Sequence, residues 1–81
     1  MSNPAQVKLA VALATLGKKD RESLAAYCGV TVKYLNDLAH TDDPNPSGRV
    51  AFRLQDRTTF LAQSMPLSPV MARELCGVPH S

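Results

Sequence analysis

The segment VKYLNDLAH, residues 32–40, holds the side chains of this chain best suited to recognition chemistry. On a helix that begins after Thr31, Leu35 and Leu38 turn inward. Val32, Lys33, Asn36 and Asp37 then face outward, with His40 at the end. Lys33 offers only hydrogen-bond donors, Asp37 only acceptors, Asn36 both, and Val32 a methyl surface. Such a set reads a shaped polar surface; it does not make or break bonds. The catalytic inventory is thin. His40 and His80 lack a nearby cysteine or carboxylate pair, and no serine lies in a nucleophile context. Gly17 and Gly48 stand alone, so no glycine loop cradles a phosphate. Cys28 and Cys76 form no CxxC pair, which argues against a zinc site or a disulfide framework. The expectation is a chain that is not an enzyme and takes no metal, cofactor or small-molecule ligand.

These side chains need a helix held at a defined angle. Residues 21–40, RESLAAYCGVTVKYLNDLAH, read as two short helices, about 21–28 and 32–40, joined by a tight turn at Gly29. Asp20 is the expected cap of the first and Thr31 of the second. Ala25 is small where the helices cross, and Gly29 can take the positive φ of a sharp helix exit. Val30, Leu35 and Leu38 plug the pair onto the core. A crossing fixed in this way presents the second helix to a DNA major groove. The same pattern also describes a plain helical hairpin within a core.

The flanking chain is helical too. Asn3-Pro4 starts a helix carrying Leu9, Leu13 and Leu16, with Gly17 as its expected stop. HTDDPNP, residues 40–46, is a loop. Ser47 caps a fourth helix lined by Val50, Leu54 and Leu61. Ser68-Pro69 begins a short fifth, with Val70, Met71 and Leu75, closed by Gly77. The fold class is therefore all-α, a compact bundle of about five short helices in a single domain, 1–81.

With Leu24, Ala25, Gly29, Val30, Leu35 and Leu38 at these spacings, residues 21–40 resemble the helix-turn-helix of the Cro and repressor family, which has the lambda-repressor-like fold. The close match covers about a quarter of the chain, and the flanking helices extend it loosely over most of residues 4–63. The resemblance implies that the outward face of the second helix reads base edges. Lys33 would donate to guanine O6 and N7, and Asn36 would pair with adenine N6 and N7. Val32 would pack on a thymine methyl, and Asp37 would accept from cytosine N4. Lys33 can equally touch only phosphate or water, and one turn before Asp37 it can neutralise that carboxylate. Family members often carry glutamine where Val32 and Lys33 stand, so the base sequence they read does not carry over.

The DNA backbone contacts expected are Lys18, Lys19 and Arg21, Thr31, Tyr34, His40, and Ser47 with Arg49. The first three flank a helix start whose free N–H groups suit phosphate. Thr31 doubles as cap and donor. Arg53 is a further candidate at the fourth helix, and Arg57 can be ordinary solvated surface. For Tyr27 and Tyr34, phosphate bonding and half-buried packing both remain open.

Composition is consistent with a globular domain: 44% hydrophobic and 20% charged over 81 residues. A net charge of +2 is small for a nucleic-acid binder, and Asp42 and Asp43 interrupt the basic groups. Reduced thiols and the lack of a secretory signal point to the cytoplasm, and the resemblance implies a bacterial host, with the protein at the nucleoid when bound. The apolar run Val7–Leu16 is broken by Lys8 and too short to span a membrane. The resemblance thus implies a phage- or prophage-derived transcription regulator that binds a palindromic double-stranded operator as a homodimer, with no second domain for an inducer. Residues 67–77 are the first expectation for the dimer seam, and the apolar face of 7–16 the second. The rival reading is a protein-interaction module on this scaffold: antitoxin, anti-repressor or adaptor.

Overall fold

Five helices organise the chain in a computed structural model whose described residues are 4–41 and 46–75. They are α1 (Pro4–Thr15), α2 (Lys18–Cys28), α3 (Val32–His40), α4 (Gly48–Leu61) and α5 (Ala72–Leu75). There is no strand among the described residues. α1 packs on α3 and α5, α2 on α3 and α4, and α4 on α5.

One core serves all five. α1 contributes Ala5, Leu9, Ala12 and Leu13, followed by Leu16 in the link. Leu24, Ala25 and Cys28 of α2 meet Leu35, Leu38 and Ala39 of α3, and Val50 and Leu54 enter from α4. Val30 packs on it from the turn. The wide apolar arc of α1 has a physical explanation: its alanines allow close approach to α3, whereas Val7 and Val11 face outward.

Local chemistry sets three helix ends. Thr31 accepts from the Tyr34 N–H and Ser47 from the Val50 N–H, each at a helix N-cap. Gly29 lies at φ 76°, and the Val30 N–H returns to the Ala25 carbonyl, closing α2 with a left-handed residue. Three boundaries differ from expectation. Asp20 does not cap α2, because the helix already begins at Lys18. Gly17 takes the N-cap position without a side-chain bond, and its carbonyl accepts from the Arg21 N–H. Burial of Leu16 pins the link from α1 to so short a path that α2 starts a turn early, leaving Asp20 in the first turn where a carboxylate favours the dipole. Gly17 is accordingly not a left-handed stop for α1, since its φ is −73°.

The fifth helix also starts late. Ser68-Pro69 precedes a non-helical stretch, and α5 spans only Ala72–Leu75. Long-range side chains replace the missing local cap: Gln55 Oε1 accepts from the Ala72 N–H, and buried Thr58 Oγ1 accepts from the Val70 N–H. Asn3, Asp42, Asp43, Cys76, Gly77 and His80 lie outside the described residues.

Candidate nucleic-acid interface

α3 has the clearest division between faces. Leu35, Leu38 and Ala39 are buried, while Lys33, Tyr34, Asn36, Asp37 and His40 are exposed. Val32 departs from the expected outward set: it is half-buried and packs on the core, because the first turn of α3 leans onto its neighbours. Its methyls are only partly presented. Lys33, Asn36 and Asp37 remain together as an outward donor–acceptor set. No Lys33–Asp37 ion pair forms; Lys8–Glu74, at 3.6 Å, is the only ion pair among the described residues. Both charges on α3 therefore remain available.

The ends of α3 are held by different devices. At its start, Thr31 Oγ1 accepts from the Tyr34 N–H at 3.0 Å, which leaves the hydroxyl proton able to donate outward. At its finish, the amide of Gln6 reaches over from α1. Gln6 is 1% exposed, and its Nε2 donates to the carbonyls of Leu38 and Thr41 at 3.0 and 2.7 Å. Those carbonyls belong to the helix terminus and would otherwise lack an intrahelical partner. Gln6 therefore fixes the height and tilt of α3 against α1. His40 Nδ1 donates to the Asn36 carbonyl at 2.8 Å, since a carbonyl can only accept, and so presents Nε2 away from the helix. Tyr34, Asp37, Leu38 and Thr41 line a shallow depression beside this face.

The expected backbone contacts fall on three elements. Lys18 and Lys19 are exposed in the first turn of α2, at the positive end of its dipole. Arg21 is half-buried, and its Nε has no hydrogen-bond partner among the described residues. Ser47 caps α4 through its oxygen, with exposed Arg49 two residues on. The N-terminal half of α4 is tied to the end of α2 by Arg53, whose Nη1 donates to the Tyr27 carbonyl at 3.2 Å.

Tyr27 is engaged within the chain. Its hydroxyl donates to Asp56 Oδ2, while Arg53 and Arg57 lie over its ring at 5.4 and 5.6 Å. The bond to Asp56 holds the phenol above its ordinary pKa. Arg53 is thus tied to the end of α2 through one of its guanidinium nitrogens. Cys28 is buried, and desolvation pushes its thiol up to about 11.

The C-terminal segment, the first expectation for a dimer seam, is described as far as Leu75. Leu67, Val70 and Leu75 are buried in the chain's own core, and Met71 alone of the four is exposed. Gln6, Gln55 and Thr58 were not singled out by sequence reasoning. Lone polar residues inside apolar stripes of α1 and α4 are their only sequence trace. Comparison of the chain with protein-family models, curated proteins and solved structures finds no match.

Proposed function

We propose that this chain is a sequence-specific DNA-binding regulator of the Cro/repressor type, in which α2 and α3 form the helix-turn-helix and α3 enters the major groove. The observation that carries the reading is the α2–Gly29–α3 unit. Gly29 at φ 76° turns the chain from α2 into α3, Ala25 is buried where a small residue suits a helix crossing, and Lys33, Asn36 and Asp37 are all exposed on the second helix. Lys33 and Asn36 read base edges, Asp37 accepts from a cytosine amine, and Val32 adds a partial methyl contact. Lys18, Lys19, Arg21, Thr31, Tyr34, His40, Ser47 and Arg49 set register on the phosphates. Regulation is by occupancy: the bound protein covers its site and excludes polymerase. A phage or prophage origin, and action in the bacterial cytoplasm, belong to the same proposal. No described helix is long and apolar enough to cross a membrane.

Fluorescence anisotropy on random duplex DNA over a salt series is the direct test. Binding that weakens steeply as salt rises supports the proposal, because phosphate neutralisation releases counterions. Absence of any binding at low salt overturns it. The rival reading, a protein-interaction module, is favoured by one observation: Phe52 and Phe60 are both exposed on α4.

A further inference from the structure

Two guanidiniums of α4 share one aromatic ring of α2 and have no counterion. Arg53 and Arg57, one helical turn apart, lie over the Tyr27 ring at 5.4 and 5.6 Å, and Arg57 also lies over Phe60 at 5.1 Å. Neither is in an ion pair, because Lys8–Glu74 is the only one among the described residues. The single carboxylate of α4, Asp56, accepts from the Tyr27 hydroxyl instead. Arg53 uses one nitrogen on the Tyr27 carbonyl, and Arg57 makes no hydrogen bond to a described residue. Ring contact restrains each flat head while most of its N–H donors stay unused, which lowers the ordering cost of binding an anion.

A guanidinium fork accepts a carboxylate or a phosphate equally well in geometry. The surroundings decide between them. Phe52 is 67% exposed and Phe60 56%, and they are the only phenylalanines in the chain. A duplex backbone offers phenyl rings no apolar counterpart, and Asp56 between the two arginines opposes an unbroken line of phosphates. A polypeptide supplies spaced carboxylates and apolar side chains together. Aromatic residues and arginine are also the types enriched at protein contacts.

We propose that this face docks an acidic amphipathic helix of a partner protein. Two partner carboxylates one turn apart match Arg53 and Arg57, which are about 6 Å apart along the axis. Apolar side chains about two turns apart on the same partner helix cover Phe52 and Phe60, about 12 Å apart along the axis. One helix laid on one helix buries an area at the low end for specific contacts, so the complex is transient. The contact uses α4 and the end of α2, not α3. It goes beyond the DNA-binding proposal and does not depend on it.

The test is anisotropy of a fluorescein-labelled, alanine-based helical peptide titrated with the full chain. The peptide carries two glutamates one turn apart between two leucines about two turns apart. Binding is expected with a dissociation constant of about 100 μM or tighter, as for a transient contact. Replacing both glutamates by glutamine should weaken it about tenfold or more. That arm needs no change in the chain, so it decides even where a variant of the chain unfolds. Arg57→Gln should weaken the glutamate peptide about tenfold while leaving the residual binding of the glutamine peptide unchanged, the signature of a direct pair. Phe52→Ser with Phe60→Ser should also weaken the peptide, with circular dichroism showing that the fold is intact. No binding up to about 1 mM overturns the proposal, since transient protein contacts are tighter than that. Equal binding of the glutamate and glutamine peptides also overturns it. So does a single-stranded oligothymidylate or a random duplex that binds more tightly than the peptide and loses affinity in the phenylalanine double variant, which would assign the face to nucleic acid.

Discussion

Gly29 concentrates the backbone demand of the molecule in one residue. It is the only described residue with positive φ, and beyond its two chain neighbours no atom lies within 4 Å of the place a Cβ would occupy. The cost of a side chain there is therefore conformational and not steric. Gly29→Ala and Gly29→Val should each destabilise by about 1–2 kcal/mol, whereas Gly29→Asn should lose less, because asparagine tolerates the left-handed region. Chemical denaturation of the three variants checks the order, with valine at least as costly as alanine because its branched Cβ crowds its own backbone at positive φ. Cys28 gives a pH prediction. Its thiol is pushed up to about 11, so between the ordinary thiol range and that value the folded chain keeps a proton that the unfolded chain releases. Stability should be unaffected by this group at neutral pH and fall as pH climbs through that window. Cys28→Ala should flatten the alkaline decline measured by thermal melts at stepped pH. Native Cys28 should also react with a thiol reagent only as fast as the protein opens.

At the scale of elements, the ends of the helices separate what was legible in the sequence from what was not. Thr31, Ser47 and Gly29 act within three or four residues of themselves, so their types and spacing were enough to place the ends they govern. The leucine periodicity of α1 and α4 likewise marked the core face. Asp20 and Ser68 looked like equally good caps and failed, because tertiary contacts decided those ends: burial of Leu16 started α2 early, and Gln55 and Thr58 held the chain extended before α5. The outward set on α3 was readable from its period except at Val32, whose burial depends on neighbouring helices. Gln6 was invisible because its partners lie 32 and 35 residues away. That tie makes a prediction. Gln6→Leu keeps the bulk but strands the Leu38 and Thr41 carbonyls, and should cost about 1–3 kcal/mol in denaturant unfolding. Ala25→Leu should also cost about 1–3 kcal/mol, since a residue 2% exposed at the α2–α3 crossing has no room to grow. If Ala25→Leu left stability intact, the close crossing of these helices would be refuted.

For the whole molecule, the distribution of positive charge matters more than its sum. A net charge of +2 predicts weak long-range attraction for DNA, so affinity must come from side chains placed at the surface of contact. The arginines and lysines divide by commitment. Lys18, Lys19, Lys33 and Arg49 are exposed and make no ion pair among the described residues, whereas Arg53 and Arg57 are stacked on Tyr27 beside Asp56. On the DNA-binding proposal, only the uncommitted group releases counterions. Replacing Lys18, Lys19 or Arg49 by alanine should make the plot of log affinity against log salt shallower by about 0.9 each, with similar losses on any duplex. Arg53→Ala should leave that slope unchanged. Lys33→Ala and Asn36→Ala should behave differently again, costing about 1–3 kcal/mol on a selected site and much less on random DNA. Anisotropy titrations of the six proteins, wild type plus these five of Lys18, Arg49, Arg53, Lys33 and Asn36, separate the roles in one experiment. A slope that falls for Arg53→Ala as much as for Arg49→Ala would place the α4 face on the DNA. In that case the cluster around Tyr27 would be a phosphate clamp, and the base-reading assignment of α3 would stand only if Lys33 and Asn36 still discriminated between duplexes.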